Sequence, residues 1–154
     1  MAYQAYELSN NEKSGDFTHI AVFTYEDIQD NATSANQATL WKIPAGGSVD
    51  KVVVFEETPL VGASDITLDV GTTTGDPDEF INALDVDGMS APVANTGDAF
   101  VQAAGNTTIA GGVLPVGLTQ TAVDVVAEWN GTVASLTAGK VIIGAVINDP
   151  GRFA

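Results

Sequence analysis

The sequence predicts an all-β protein, a single domain that folds as an antiparallel β-sandwich or jelly roll. Short runs rich in β-branched and aromatic residues recur along the chain, and each is bounded by glycine, proline, asparagine or aspartate. Sixteen glycines in 154 residues supply turns between these strands. Helical periodicity is scarce. A chain of this length can bury a core of its own without disulfides or metals.

The N-terminal segment differs from the rest of the chain. Residues 1–16 are polar with isolated aromatic side chains, so we expect an extended N-terminal arm there and the β-sandwich domain over residues 17–154. FTHIAVFTY, which begins at Phe17, predicts the first strand. The polar stretch DIQDNATSANQ predicts an irregular connection, and ATLWKIPAGG predicts a short strand that ends at Pro44.

Two strands in the middle of the chain have the clearest patterns. VDKVVVFEET, Val49–Thr58, is apolar on both faces, which predicts a central strand that is partly covered on both sides. SDITLDVG alternates apolar and polar residues, which predicts an antiparallel strand with one buried and one solvated face. Ile66, Leu68 and Val70 would lie on the buried face.

The segment PDEFINALDV is the one place where the sequence predicts a short helical turn. Asp76 can cap such a turn, and Pro77 suits its first helical position. Phe80, Ile81 and Leu84 would then form its buried side.

The C-terminal third predicts further strands. Asn130–Gly131 is a typical hairpin turn sequence. KVIIGAVI, Lys140–Ile147, predicts the last strand because it is short, apolar and rich in β-branched residues. Weaker strand candidates lie at residues 99–103, 107–114 and 119–128.

Composition excludes several classes of function. Twenty acidic residues against five basic ones give a net charge of −15, which repels phosphate backbones, so we expect no direct nucleic-acid binding. The absence of cysteine excludes disulfides, thiolate zinc sites and cysteine nucleophiles. No stretch approaches the roughly 18 apolar residues of a membrane helix, and the N-terminus lacks a secretory signal. We therefore expect no membrane partner and assembly in a reducing cytoplasm.

The stretch DVGTTTGDPDEFINALDVDG, Asp69 to Gly88, has six carboxylates and no basic residue. A calcium loop needs oxygen ligands that converge, but Asp85-Val86-Asp87-Gly88 matches only a fragment of such a loop and no acid closes it. A glycosidase needs two carboxyls about 5 to 9.5 Å apart, normally in an aromatic groove. We predict instead that these acids coat a strand and cap a turn, with no metal, cofactor or catalytic residue.

The other candidate chemistries are weaker. His19 is the only histidine, and no Gly-x-Ser-x-Gly motif accompanies it, so we interpret it as a strand residue with local hydrogen bonds. Trp41 and Trp129 could stack on sugars in a binding module, although single tryptophans on strands are more often core or interface residues. The sequence therefore predicts a protein that is not an enzyme.

Three segments together suggest a family: KVVVFEETPL, SDITLDVGTTTGDPDEFINALDV and KVIIGAVI. This combination resembles small structural proteins of tailed bacteriophages, the capsid decoration or cement proteins. The family often has a basic residue just before the phenylalanine of the second segment, where this chain has Glu79. The matching positions are Val52, Val54, Thr67, Leu68, Gly71, Asp76, Pro77, Asp78 and Phe80.

The resemblance implies a β-sandwich on the virion capsid surface, commonly a homotrimer, assembled in the bacterial host cytoplasm. Its partners would be the major capsid protein and sister copies, and each copy would stabilise the shell by bridging neighbouring capsid subunits. We expect partner contacts from Tyr3, Tyr6 and Leu8 of the arm, and from Trp41. The alternative is a carbohydrate- or host-binding β-module of a phage fibre or secreted protein, which requires an exposed aromatic platform at Trp41 or Trp129.

Overall fold

The structure is a computed structural model that describes residues 3–7, 17–34, 37–72, 77–94, 96 and 122–149. Within these residues the chain forms nine β-strands, one α-helix (α1, Tyr25–Ser34) and a single 3-10 turn (Val133–Ser135). The strands are β1 Gln4–Glu7, β2 His19–Thr24, β3 Gln37–Ile43, β4 Ser48–Val61, β5 Thr67–Thr72, β6 Ile81–Asp85, β7 Val93–Ala94, β8 Val123–Asn130 and β9 Ala138–Asn148.

The described strands form two antiparallel sheets. One has the order β1-β2-β9-β4-β7 and the other the order β3-β8-β5-β6. Among the described strands, taken in chain order from β2 to β9, consecutive strands lie in opposite sheets except for β5 and β6. This is the strand order of a jelly roll, in which two Greek keys share one core. The predicted all-β sandwich is confirmed.

The core lies between the two sheets. Phe23 of β2 and Trp129 of β8 meet edge to face with ring centroids 5.2 Å apart, which joins the sheets directly. The side chains of Ile66, just before β5, and of Leu68 and Val70 on β5 are fully buried, as their alternation predicts. Other large side chains that are fully buried include Phe23, Ile28, Ile43, Val49, Val52, Val54, Phe80, Ile81 and Ile143.

The strong strand signals in the sequence correspond to observed strands. FTHIAVFTY contains β2, ATLWKI lies in β3, and KVIIGAVI lies in β9. The Val49–Thr58 segment lies in β4, which is hydrogen-bonded to β9 on one side and to β7 on the other. Val52, Val53 and Val54 are all buried, so β4 is covered on both faces as predicted.

The first correction is the helix α1, which occupies most of the stretch that we predicted to be irregular. Thr24 and Asp27 form a reciprocal cap: Thr24 N donates to Asp27 Oδ2 (2.9 Å), and Asp27 N donates to Thr24 Oγ1 (3.3 Å). Ile28 is fully buried, and Gln29 Nε2 lies 3.0 Å from the carbonyl oxygen of Val133 in the 3-10 turn. One buried aliphatic residue does not make a helical pattern of apolar residues, so the sequence offered no reason to predict a helix there. The Thr24-x-x-Asp27 pattern, which is typical of a helix N-cap, was the signal that could have indicated it.

The second correction concerns PDEFINALDV, which is not a helix. Its first four residues form a turn and the next five form β6. Phe80 N donates to Val70 O (2.9 Å) and Val86 N donates to Ile66 O (3.0 Å), so pairing with β5 satisfies the backbone. Phe80 is fully buried in the structure, as it was also predicted to be in a helical turn, so long-range pairing rather than its burial decides between the two arrangements. Asp76 lies outside the described residues.

The third correction is the predicted hairpin at Asn130–Gly131. The two strands that flank it, β8 and β9, belong to different sheets, so the turn crosses between sheets. Gly131 has φ = 105°, and a Cβ there would overlap the carbonyl oxygen of Asp65. The glycine is needed for a close backbone approach rather than for a two-residue hairpin.

The N-terminal segment is more regular than predicted where the structure describes it. Gln4–Glu7 form β1, which pairs with β2 at the edge of the five-stranded sheet. The sequence predicted no regular element there. The rest of the predicted arm, including Leu8, lies outside the described residues, as do the strand candidates at 99–103 and 107–114. The division into an arm and a domain stays a prediction.

Candidate partner-contact surface

A shallow, open groove lies between the edges of the two sheets near the N-terminus. Within the described residues, β1 is the edge strand of one sheet and β3 is the edge strand of the other, and the two lie side by side. The groove between them has a volume of about 310 Å³. It is lined by Ala5, Tyr6, Glu7, His19, Leu40, Trp41 and Lys42. We call it the β1–β3 groove.

Tyr3, the first predicted contact residue, directly precedes β1 and contacts both β2 and β3. Its ring stacks on Phe23 with centroids 4.8 Å apart and an interplanar angle of 14°. Its hydroxyl donates to the carbonyl oxygen of Thr39 on β3 (2.7 Å), and burial raises the pKa of the Tyr3 hydroxyl. Tyr3 therefore ties the edges of the two sheets together, so both its ring and its hydroxyl are used within the chain.

Tyr6, the second predicted contact residue, lies on the rim of the groove. It is 40% exposed, and in the described part of the chain only Val61 is a comparably exposed large hydrophobic residue. Tyr6 pairs with Ile20 in the β1–β2 register, so its backbone is fixed by the sheet. An aromatic side chain that is exposed but held on a regular strand is well suited to contact a partner.

Trp41 lies on the groove floor and is almost entirely buried, with 5% of its surface exposed. Its Nε1 donates to the carbonyl oxygen of Ile20 (3.1 Å), and its ring meets the His19 ring edge-on with centroids 5.8 Å apart. Trp129 is also buried, at 3% exposure. Neither tryptophan forms the exposed platform that the carbohydrate-binding alternative requires.

One end of the groove is charged. A smaller cavity of about 90 Å³ adjoins it there, and Glu7, His19 and Lys42 line both cavities. Glu7 lies directly opposite His19 in the β1–β2 register. The remaining residues of this cavity are Pro44, Ile147 and Asp149. Sequence reasoning selected the aromatic members of the groove but missed these polar ones, because only the strand pairing brings them together.

The three lysines that the structure describes each contact a group of this chain. Lys42 Nζ lies 2.5 Å from Asp124 Oδ1, and Lys140 Nζ lies 2.7 Å from Glu57 Oε2. Lys51 Nζ lies 5.7 Å from the centroid of the Phe17 ring, within cation–π range. These positive charges are balanced locally or held over a ring, while the chain as a whole has a net charge of −15.

Carboxylates in the Asp69–Gly88 stretch, and Asp65 just before it, accept hydrogen bonds from backbone N–H groups in turns. Asp65 accepts hydrogen bonds from the hydroxyl and the backbone N–H of Thr132, and these bonds lower the pKa of Asp65. Asp69 Oδ1 accepts from the backbone N of Ala83 (2.6 Å), which stabilises a bulge where Ala83 has φ = 44°. Asn130 Nδ2 donates to the other oxygen of Asp69 (3.2 Å).

The carboxylates at the C-terminal end of the Asp69–Gly88 stretch also accept hydrogen bonds from backbone N–H groups. Asp87 Oδ1 accepts from the backbone N of Ile66 (3.1 Å), and Asp85 Oδ1 accepts from the backbone N of Asp87 (3.3 Å). Burial, together with the hydrogen bond and negative charge of Asp85, raises the pKa of Asp87. In the part of the chain that the structure describes, no three histidine, aspartate or glutamate side chains form a group that could hold a metal ion.

Comparison with known proteins shows a relation at the level of the fold. No family model and no curated protein matches the sequence. The structure is similar to a chain of the solved structure "Cyanophage Pam1 capsid asymmetric unit", with a TM-score of 0.54 and 20% sequence identity. The alignment covers 76% of this chain and 74% of that chain. At this identity, the likeness shows that the two chains share a fold. Among the described residues, no helix is long and apolar enough to cross a membrane.

Proposed function

We propose that this chain is a structural protein of a tailed-phage virion, which binds the outside of the capsid and stabilises it by bridging neighbouring major capsid subunits. The observation that carries the proposal is the fold: a jelly roll that aligns with a chain of a cyanophage capsid asymmetric unit over about three quarters of both chains. The resemblance of residues 49–86 to capsid decoration proteins supports the same class independently, because it depends on sequence motifs rather than on the fold.

The charge of the chain supports an outer-surface location. A net charge of −15 is unfavourable next to packaged DNA and favourable for solubility on an exposed face. We propose the major capsid protein and sister copies in a homotrimer as its partners, with no nucleic acid, membrane or cofactor. Assembly in the host cytoplasm follows from the same proposal, since the shell forms there.

The proposed mechanism is linkage between binding and assembly. A protein that binds only the assembled shell shifts the equilibrium toward that state, by about 2.7 kcal/mol per site at a free concentration of 100 times Kd. A trimer presents three binding surfaces together, so modest affinity per surface becomes firm attachment. The chain therefore needs a rigid scaffold with a docking face and no catalytic group.

The roles of the described acids support the proposal that the chain is not an enzyme. A glycosidase needs two carboxyls that face a substrate across a cleft. Asp65, Asp69 and Asp87 instead accept hydrogen bonds from the backbone of neighbouring turns. Such acids act as turn caps, and their replacement would change folding rather than turnover.

A shell-binding assay tests the proposed function. Mature shells that lack this chain are incubated with the purified protein, sedimented, and heated while release of packaged DNA is followed with a dye. We expect stoichiometric co-sedimentation and a higher temperature of DNA release. An acidic protein of similar size and net charge serves as the control, since it reports attachment by charge alone.

Two results would contradict the proposal. One is failure of the chain to sediment with mature shells; the other is a glycan-array signal from the isolated protein without shell binding, which would favour the carbohydrate-binding module. The oligomeric state is measured separately by light scattering, where a trimer gives a mass three times the 15.8 kDa of one chain.

A further inference from the structure

We propose that sister copies of this chain contact one another through the outer face of the five-stranded sheet, which is the face that points away from the core. This inference rests on the proposed function for the homotrimer and deepens it, because it assigns the contact between copies to one surface. The contact can be measured on the purified protein in the absence of shells. Its failure is therefore distinguishable from a failure of shell binding.

Antiparallel sheets commonly have a polar outer face, but the outer face of this sheet is apolar. On β2, β4 and β9 its side chains alternate with core residues such as Phe23, Val54 and Ile143, so they point to the opposite side of the sheet. None of them belongs to the hydrophobic core between the sheets or packs against it. They are Ile20, Val22, Val53, Phe55, Ile142 and Val146. Packing in the core therefore does not explain why these positions are apolar.

The strand pairing joins these side chains into one patch. Ile142 lies directly opposite Val22 on one side and Phe55 on the other, which makes a row across three strands. The next row is formed by Ile20, Gly144 and Val53. Residues that face each other in this way have Cβ atoms about 4.5–5.5 Å apart, so the side chains of a row are close neighbours. A continuous apolar patch of this kind marks an interaction surface more often than a solvated one.

Phe17 covers one row of the patch and leaves the other partly open. A Cβ at Gly144 would lie 2.8 Å from two carbons of the Phe17 ring, so the ring rests on the outer face above β9. Gly144 and its neighbour Val53 are buried there. The row of Val22, Ile142 and Phe55 is only half-buried within the single chain. A second surface placed on this row would remove further apolar area from water, which favours association.

The outer face is also the place where acidic copies can meet with little repulsion. The chain has twenty acidic residues and a net charge of −15, yet neither row of the patch has a charged residue. Beyond the second row, Glu57 Oε2 lies 2.7 Å from Lys140 Nζ, so that negative charge is balanced. Repulsion between like-charged proteins is weakest where their contact brings no carboxylates together. The apolar patch meets this condition.

Lys51 supplies the charge complementarity that favours an acidic partner. Lys51 lies opposite Val146 at the edge of the patch, and its Nζ is 5.7 Å from the centroid of the Phe17 ring. Within the described part of the chain its ammonium forms no ion pair with a carboxylate. In a trimer the contact is heterologous, so this face meets a different patch of the next copy. The acid-rich surface of that copy offers a carboxylate to Lys51.

Light scattering over a range of protein concentrations tests the assignment. The wild type should give a trimer, with three times the 15.8 kDa mass of one chain. The double variant Val22→Thr with Ile142→Thr makes two opposed side chains polar and keeps them β-branched, as strands prefer. We expect its trimer to dissociate at a protein concentration at least about tenfold higher than that of the wild type. Lys51→Gln should have a smaller effect, about two- to fivefold.

Val61→Thr is the matched control. It replaces an apolar β4 side chain in the same way, and Val61 is 52% exposed, but Val61 lies at the end of β4 outside the patch. Its association should equal that of the wild type. Circular dichroism and thermal unfolding show whether each variant is folded. If the double variant is unfolded, Val22→Thr alone is compared with Val61→Thr, and we expect the same direction of change.

The outcomes separate this face from the proposed function. A wild type that stays monomeric overturns the assignment, even if the monomer binds shells. A folded double variant that associates as tightly as the wild type also overturns it, because the contact then lies elsewhere. A trimer that the double variant weakens but that does not bind shells supports the face and contradicts the proposed function. A wild-type dimer weakened by the same variant supports the face and contradicts the homotrimer.

A crosslinking experiment identifies the occupant directly. Val22 is replaced by the photoreactive residue p-benzoylphenylalanine, and ¹⁵N-labelled and unlabelled copies are mixed, allowed to exchange and irradiated. Mass spectrometry of the crosslinked peptides then distinguishes links between copies from links within one copy. We expect links that join a labelled and an unlabelled chain. Links that occur only within single chains would show that the chain covers this face itself and would overturn the proposal.

Discussion

Replacement of Thr24 by alanine tests how the unexpected helix α1 is held. The Thr24 hydroxyl donates to Asp27 Oδ2 (2.8 Å) and accepts from the backbone N of Asp27 (3.3 Å). Asp27 is only 5% exposed, and its Oδ1 has no hydrogen-bond partner among the described residues. The alanine variant therefore removes an N-cap and also one of the two donors to a buried carboxylate oxygen.

The expected cost is the sum of these two effects. Loss of a threonine N-cap costs about 1 kcal/mol in typical proteins. Loss of one hydrogen bond to a buried charged acceptor adds about 1 kcal/mol, because the Thr24 backbone N–H still donates to the same oxygen. We expect Thr24→Ala to lower the free energy of unfolding by about 2 kcal/mol, and Tm by about 4–8 °C for a chain of this size.

Urea denaturation followed by tryptophan fluorescence and by far-UV circular dichroism measures this cost. Thr24→Ser is the rescue variant, since it retains the hydroxyl, and it should recover most of the lost stability. Thr58→Ala, at an exposed position of β4, is the control and should change the free energy of unfolding by less than about 0.5 kcal/mol. If Thr24→Ala also costs less than that, or if Thr24→Ser is as unstable as Thr24→Ala, the cap does not stabilise α1 and the reasoning is refuted.

Three further predictions concern the turn at Gly131 and Thr132 and the hydrogen bond by which Tyr3 holds the start of β1 against β3. Bonds from Thr132 lower the pKa of Asp65, so their stabilisation is present above the unfolded pKa of about 4 and is lost as the pH falls through the lowered pKa of the folded state. Thr132→Val should therefore lower the urea midpoint at pH 7, and by less at pH 3. Gly131→Ala should destabilise by about 2 kcal/mol or more through strain, and Gly88→Ala, with open space, by far less. Tyr3→Phe should cost about 1 kcal/mol in urea unfolding, since the ring stack remains and the bond to β3 is lost.

Each of these predictions has an outcome that would contradict it. A Thr132→Val deficit that persists unchanged at pH 3 would show that the Asp65 charge is not involved. Equal stability of the Gly131→Ala and Gly88→Ala variants would show that the close approach to Asp65 is relaxed in solution. A Tyr3→Phe variant as stable as the wild type would mean that the hydroxyl exchanges its bond to β3 for water at no cost.

The sequence predicted the strands whose patterns are local and strong. From Ile66 into β5 the alternation of apolar and polar residues matches the two-residue period of a strand, so Ile66, Leu68 and Val70 could be assigned to the core without knowledge of their neighbours. In β4 the apolar residues on both faces indicated a strand inside a sheet. Such patterns predict correctly because side-chain direction along a strand does not depend on what the strand pairs with.

The candidate site was predicted only in part. Aromatic residue type selected Tyr6 and Trp41, and both line the β1–β3 groove. Their exposure was not predictable, since Trp41 is buried by contacts with β2 while Tyr6 on the neighbouring strand is exposed. Tyr3 was predicted to contact a partner, yet it stacks on Phe23 of its own chain. Whether Tyr3, Tyr6 and Trp41 contact a partner stays a prediction.

The sequence alone determined the all-β class, the acidic surface and the strands with a clear period. Only the tertiary structure decided the helix α1, the strand β6 and the sheet crossing at Gly131. In each of these segments the local preference is weak, and the choice depends on partners distant in sequence: the 3-10 turn for α1, β5 for β6 and the Asp65 backbone for Gly131. Contacts of that kind are not encoded in any short window of residues, so they appear only when the chain is folded.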